Sequence, residues 1–264
     1  MRRRFGQALR LGVAADALAL VETGRWQAPR VLAEQALGDG VVSGAGLGAA
    51  LGALLDLAGC AGRPLTIVLA DELVRLWQVT PPQGGQGIDD LCGAASLRFQ
   101  TLFGESPAAW HMSADWDARR PFMAAAVRLA MRAQLETACA AHRHTIVECT
   151  PQVVAAINQW RGALRPHAWF GLVHEHVLTL AALDAGAIHA VRAVALPELV
   201  DAAWLVQHIE REALRLNLAV PEQVQLCGPA PTVWRGHPSV SLLQGALDGA
   251  WSGAARLALT GSAA

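Results

Sequence analysis

Four groups of residues have the types and spacing to be weighed for site chemistry. Gly44-Ala45-Gly46-Leu47-Gly48-Ala49 has the glycine pattern of a dinucleotide loop, and Asp71 follows the next apolar run. In a Rossmann unit that order rests a pyrophosphate on a helix N-terminus and sets an acid at the ribose. Here several residues separate the glycines from the preceding run, which contains Glu34 and Gln35, whereas a central parallel strand is almost wholly apolar. NAD binding at residues 44–48 therefore stands as a second alternative. His174-Glu175-His176 would place two imidazoles on one strand face and the carboxylate on the other. A metal site would need a third ligand such as His167 or His189, and turn or edge histidines account for the trio without one. His142-Arg143-His144 ends a helical stretch, where cations complement the dipole. Asp115 and Asp117, with Arg119 and Arg120, read as a charged turn.

Composition narrows the chemistry further. All 21 basic residues are Arg, and the chain contains neither Lys nor Tyr. A Walker lysine, a Schiff-base lysine and a kinase strand lysine are thereby excluded. No G-x-S-x-G, H-E-x-x-H or P-loop pattern occurs, so no acid/base pair stands out and no catalytic residue, metal or cofactor is assigned. A net charge of -1 gives no electrostatic case for nucleic acid. The five scattered cysteines include no C-x-x-C pair, and most of them read as small core residues in a reducing compartment. No apolar run approaches the roughly 20 residues of a membrane span. Arg2, Arg3 and Arg4 before the apolar run at 11–21 imitate a signal peptide, but Asp16 falls inside that run and its alternation is that of a strand. We read a first hairpin behind a short basic arm, whose three charges attract anionic lipid only weakly.

Two segments of equal length share one pattern. Residues 9–37 and 168–196 each show an apolar run, a second alternating run, a turn near Gly24 or Gly186 and a third run, with Gly12 and Gly171 in register. Alternation between turn signals marks strands, so each copy predicts a three-stranded antiparallel meander. Each leads to helical spacing (46–59 and 198–217) and a short strand (64–70 and 223–227). The pattern predicts a duplicated α/β domain. Between the copies, strands are expected at 74–79, 108–116, 122–128 and 144–149, and helices at 88–103, 130–141 and 151–160. Residues 161–167 read as a hinge, 197–217 as the longest helix and 240–259 as a closing helix.

This plan resembles the actin/Hsp70/sugar-kinase superfamily, and more narrowly the PilM branch with the cytoplasmic domain of the secretion protein GspL. The resemblance rests on RLGVAADALALVE at the start, PFMAAAVRLAMRAQLETACAAHRHTIVECTP across the midpoint, the hairpin WFGLVHEHVLTLAALDAG and the strand end VQLCGPAP. It implies an α/β fold of duplicated actin-like (RNase H-like) domains with meander-containing mixed sheets. The first half would span 1–162 with a small insertion at about 72–120, and the second 163–264. ATP-binding members use an Asp-Ile-Gly-Ser-type turn, an Asp-Ile-Gly-Gly/Ala-type turn and a Gly-Gly on the adenosine side. Here Gly12-Val13-Ala14-Ala15-Asp16 lacks the acid at its place, Gly171 to His176 replaces the second turn, and Cys227-Gly228-Pro229 replaces the third. The resemblance therefore implies a degenerate cleft at Gly12, Asp16, Gly171, Glu175 and Gly228. It also implies a non-catalytic scaffold, cytoplasmic and peripheral at the inner membrane, in a pilus or type II secretion platform. Its partners would be the short cytoplasmic tail of a PilN-like protein and an assembly ATPase. The tail would lie in a groove beside the insertion, with Val74, Leu76, Trp77, Leu91 and Phe99 as candidate contacts. An ATP-binding switch with an atypical phosphate site is the first alternative.

Overall fold

The computed structural model describes residues 7–42, 44–84, 87–184, 187–243 and 251–262. The basic arm, the turn around Gly186 and part of the expected closing helix lie outside these residues.

The first meander consists of β1 (Gln7–Val13), β2 (Ala17–Gly24) and β3 (Gln27–Ala36). Helix α1 (Leu47–Ala58) leads to β4 (Pro64–Leu69), and β8 (Thr145–Pro151) completes a five-stranded sheet ordered β3-β2-β1-β4-β8. The second meander, β9 (Ala168–His174), β10 (Val177–Asp184) and β11 (Ala187–Ala195), joins β12 (Gln223–Cys227) and β13 (Val240–Leu242) in the order β11-β10-β9-β12-β13. Numbered within each copy, both orders are third, second, first, fourth, fifth. In both, the meander pairs antiparallel and the last two pairings are parallel. Gly12 and Gly171 are each the fourth residue along the pairing with the parallel neighbour, opposite Val68 and Leu226. A backbone bond recurs as well: Leu37 N–H donates to Asp16 O at 2.6 Å, and Leu196 N–H to His176 O at 2.7 Å. The duplication is thus a property of topology, register and turn bonding.

The chain forms two compact units. One contains Met1–Val74, Val127–Gln159 and Gly245–Ala264; the other contains Arg75–Ala126 and Trp160–Gln244. In the first, Leu9, Leu11 and Val13 are fully buried on β1, as alternation requires of a central strand. Helices α1 and α3 (Leu129–Ala141) pack together beside this sheet, and α6 (Gly253–Leu259) packs on β1 and β2. Ala19, Val21, Ala254, Ala255, Ala258 and Leu259 form that contact. Arg10 fastens the end of α6, its Nε donating to Ala258 O at 2.6 Å and its Nη2 to Thr260 O at 2.5 Å, so the last carbonyls of the helix are satisfied. In the second unit, α5 (Ala202–Leu216) buries Leu205, Ile209 and Ala213 against Trp169, Leu178, Leu180 and Leu226. Asp201 begins this helix by accepting from Trp204 N–H at 2.7 Å. A third sheet, β5 (Val74–Val79), β7 (Phe122–Arg128) and β6 (Trp110–Ala114), is ordered β5-β7-β6 and packs with α2 (Ile88–Phe103).

Several expectations need correction. Residues 240–259 do not form one helix: Val240–Leu242 is a strand paired with β12, and the described helix begins at Gly253. Helix α2, with 16 residues, is longer than α5, with 15, because α5, capped by Asp201, starts five residues later than the periodicity indicates. Helix α6 packs on β1 although it follows the second copy in sequence. Among the cysteines only Cys139 and Cys227 are buried, and Cys149 is exposed on the edge strand β8.

Candidate functional site

The first hairpin turn is built from Ala14, Ala15 and Asp16. Ala14 N–H donates to Ala17 O at 2.9 Å, so this amide closes the hairpin itself. No residue of the turn has a positive φ, and an anion nest needs alternating right- and left-handed residues to converge successive N–H groups. Asp16 is exposed at the tip, beyond the strand position at which the expected acid would stand. Gly12 does not face an open pocket. A Cβ there would lie 2.8 Å from the Ala258 nitrogen and closer still to the Ala254 carbonyl oxygen, both on α6. The missing side chain is what lets a helix backbone rest on the strand.

The second hairpin turns in two residues, Glu175 and His176. Glu175 has φ 48°, a left-handed position that glycine would adopt without strain, and both side chains are exposed. His174 is the last residue of β9 and is buried. The expected arrangement of two imidazoles on one strand face is therefore absent, because the chain turns at Glu175. Among the described residues no group of three His, Cys, Asp or Glu could hold a metal ion. Gly171 is enclosed by side chains, the nearest to an added Cβ being the Leu226 Cδ2 methyl. Gly228, at φ 87°, follows β12 and touches β9: a Cβ there would be 3.1 Å from the Val173 carbonyl carbon and closer to its oxygen. The fold brings Gly228 to the strand that leads into Glu175, and it requires glycine there for its own backbone packing.

The glycine-rich loop at residues 44–48 is occupied by the chain's own side chain. Gln134 on α3 accepts from Gly48 N–H through Oε1 at 3.0 Å and donates from Nε2 to Gly44 O at 2.9 Å. One of the free amides in the first turn of α1, where a pyrophosphate would bind, is thus filled. The preceding strand β3 is an antiparallel edge strand separated from β4 by β2 and β1, so the loop does not join two neighbouring parallel strands. Asp71 is buried and accepts from Val153 N–H at 3.0 Å, tying down the start of α4 (Gln152–Trp160). The Rossmann alternative is overturned by these contacts. The sequence signal that could have pointed to Gln134 is weak, since a glutamine 86 residues from Gly48 has no local pattern.

The candidate partner contacts lie on the small sheet and its helix. Trp77, Leu91 and Phe99 are buried in one core with Trp110 and Phe122, and Val74 is also buried. Trp77 and Phe99 meet edge to face with centroids 5.2 Å apart, and Phe99 lies 5.5 Å from Trp110. These aromatics hold the subdomain together and do not line an open groove. Leu76 differs, being half-buried on β5, whose only strand partner among the described residues is β7. Arg75 beside it stacks over Phe103 and Trp110 at 5.6 and 5.4 Å and pairs with Glu105. Gln78 Nε2 donates to Ile188 O at 3.3 Å.

No protein-family model and no curated protein matches the chain. Solved structures do. The structure of the "PilM-PilN type IV pilus biogenesis complex" aligns at 19% identity over 89% of this chain and 88% of that one, with TM-score 0.62. A Bacteroides thetaiotaomicron protein described as having an actin-like ATPase fold aligns at 10% identity over 92% and 94%, with TM-score 0.61. The cytoplasmic domain of EpsL, an inner membrane component of the Vibrio cholerae type II secretion system, aligns at 14% identity over 90% and 86%, with TM-score 0.58. The duplicated actin-like fold expected from the sequence, with its small additional subdomain, is the fold of this chain.

Proposed function

We propose that this chain is a non-catalytic scaffold on the cytoplasmic face of a type IV pilus or type II secretion-like inner-membrane platform. It would hold the cytoplasmic tail of a PilN-like membrane protein, with an assembly ATPase as a second partner. One observation above all supports the loss of nucleotide chemistry. Gly12, at the position where the superfamily's phosphate turn begins, is the seat of α6, and the turn after it bonds to itself. Glycine at that point serves helix packing, so its presence is no sign of a retained phosphate loop. The platform role is supported by the shared fold with the PilM-PilN complex and the EpsL cytoplasmic domain. No helix among the described residues is long and apolar enough to cross a membrane.

For the tail site we propose the β5 side of the small subdomain. Leu76 would be the touching residue, with Trp77, Leu91 and Phe99 as the packed core of the same subdomain and Val74 buried at the start of β5. The test is fluorescence anisotropy with labelled cytoplasmic tails of the small single-span proteins encoded beside this gene. Leu76→Asp is expected to weaken binding about tenfold or more, as loss of one buried leucine contact implies, while leaving Tm unchanged. Phe99→Ala should instead lower Tm, because it opens a cavity in the core. Undiminished binding by a folded Leu76→Asp variant would refute this site, and binding of none of the tails would refute the scaffold reading.

A further inference from the structure

Helix α5 carries a buried polar row beside its apolar face. Trp204, His208 and Glu212 stand one turn apart, next to the core positions Leu205, Ile209 and Ala213. The row begins well anchored. Trp234 is fully buried, its Nε1 donates to Asp201 O at 2.9 Å, and Trp204 lies parallel to it with centroids 6.3 Å apart. The His208 imidazole continues the stack, 5.1 Å from Trp204 with only 3° between the planes.

From His208 onward the polar atoms are less well served. His208 is 8% exposed, and its buried Nε2 has no hydrogen-bond partner among the described residues. Glu212 is buried too, and its Oε1 accepts from Arg215 Nη1 at 2.9 Å. Its buried Oε2 sits 4.0 Å from Arg192 Nε on β11, beyond hydrogen-bond reach. Such a site tolerates a neutral imidazole, whereas an imidazolium would bring a whole charge and two N–H donors into it. The surrounding charges do not offset that cost. Glu212 favours the protonated ring, but Arg211 and Arg215 on the same helix oppose it. Arg215, and Arg192 from β11, already draw on Glu212. Ala190 and Val194, which β11 adds to this core, and Trp234 carry no charge. Burial is the largest influence, and it holds the His208 pKa below the ordinary 6.5.

We propose that His208 makes the seating of α5 on the second sheet depend on pH, so that mild acidification protonates the imidazole and releases the helix from His208 onward. The closed arrangement accommodates only the neutral ring, whereas the opened helix hydrates the imidazolium, so proton uptake favours opening. The direction follows from the lowered pKa. The contribution of His208 to seating is complete above the ordinary value of 6.5 and is lost as pH falls through the lower folded value. The Asp201 cap and the tryptophan stack hold the first turn, so opening begins at the other end, where Leu214 and Arg215 are exposed. Release of α5 uncovers Leu178 and Leu180 of the meander. The device lies within the second unit and does not rest on the scaffold reading.

The test is hydrogen exchange of the full-length protein, read by mass spectrometry at about pH 7.5 and about pH 5.5 and corrected for intrinsic rates, beside an NMR titration of the histidine rings. The His208 ring should titrate below 6.5, its signal identified by its loss in His208→Phe. Opening of α5 should rise severalfold on acidification in the parent and less than about twofold in His208→Phe, which keeps an aromatic ring on Trp204 and takes no proton. Should the Phe variant not fold, His208→Gln gives the same assignment and the same comparison. A His208 ring that titrates at or above 6.5 would overturn the proposal. Equal acid acceleration of α5 in parent and variant would overturn it as well, since the proton would then act elsewhere.

Discussion

Replacing Gly12 with Ala is expected to destabilise the protein by about 3 kcal/mol, at the upper end of typical overpacking costs. For a chain of this size the melting temperature should fall by roughly 6–12 °C. The reason is local and backbone-based. The new methyl would press on the Ala254 carbonyl and the Ala258 nitrogen, and a helix backbone cannot rotate aside as a side chain can. Either α6 lifts from β1, exposing the contact made by Ala19, Val21, Ala255 and Leu259, or the strand bends. Gly171→Ala provides the comparison. Its nearest obstacle is the terminal Cδ2 methyl of Leu226, which can change rotamer, so about 1 kcal/mol is expected. Thermal denaturation of the two variants without any nucleotide decides the matter. A Gly12→Ala variant melting within about a degree of the parent would mean that Gly12 is not the seat of α6.

Glu22→Gln is the second large effect. The carboxylate is 8% exposed, accepts from Arg63 Nη1 at 2.7 Å and meets Arg30 Nη2 at 3.4 Å. Breaking a fully buried pair costs about 3–5 kcal/mol. Here the side chains of Arg63 and Arg30 are 26% and 66% exposed, so solvent screens part of the interaction and about 2 kcal/mol is expected. The pH dependence gives a second readout. Burial, the largest single influence, opposes ionisation of Glu22, but the hydrogen bond and charge of Arg63, with Arg30, together hold its pKa below the ordinary carboxylate value. The folded protein then binds this proton less readily than the unfolded chain. Its contribution is complete above the ordinary glutamate pKa of about 4.3 and is lost as pH falls through the lower folded value. The stability gap between parent and variant should therefore close below about pH 4. A gap that stayed constant down to pH 3 would show that the variant acts through packing alone.

Much of this architecture was legible because local pattern and final structure agree. Residues 74–79, 88–103, 122–128 and 223–227 form the elements that their alternation or helical spacing predicts. Equal spacing in the two copies was enough to predict duplicated meanders, since strand order follows once an antiparallel hairpin meets a parallel return. Val240–Leu242 was not legible: three residues are too few to show a period, and they become a strand only by pairing with β12. The end of the chain misled for a related reason. Small residues such as Ala254, Ala255 and Ala258 are compatible with a helix anywhere, and nothing local indicates that they rest on β1, some 240 residues earlier in sequence.

The site was legible only in outline. Departures from the superfamily's phosphate turns could be read directly at residues 12–16, 171–176 and 227–229. What packs against those segments could not, because Gly12 meets the backbone of α6 and Gly228 that of Val173 through tertiary contacts alone. Trp77 and Phe99 illustrate the same limit in reverse. An aromatic on a strand and another on a helix are equally good at lining a groove or filling a core, and only their burial decides for the core.

The most direct test of the scaffold reading is isothermal titration calorimetry of the full-length protein with Mg-ATP, paired with a thermal melt at the same concentrations. The expected result is no saturable heat and no change in melting temperature. A nucleotide present at about 100 times its dissociation constant would add roughly 2.7 kcal/mol of stability, a rise of several degrees at this chain length. A saturable, magnesium-dependent heat with such a rise would contradict the account and establish the chain as a nucleotide-binding actin-like switch.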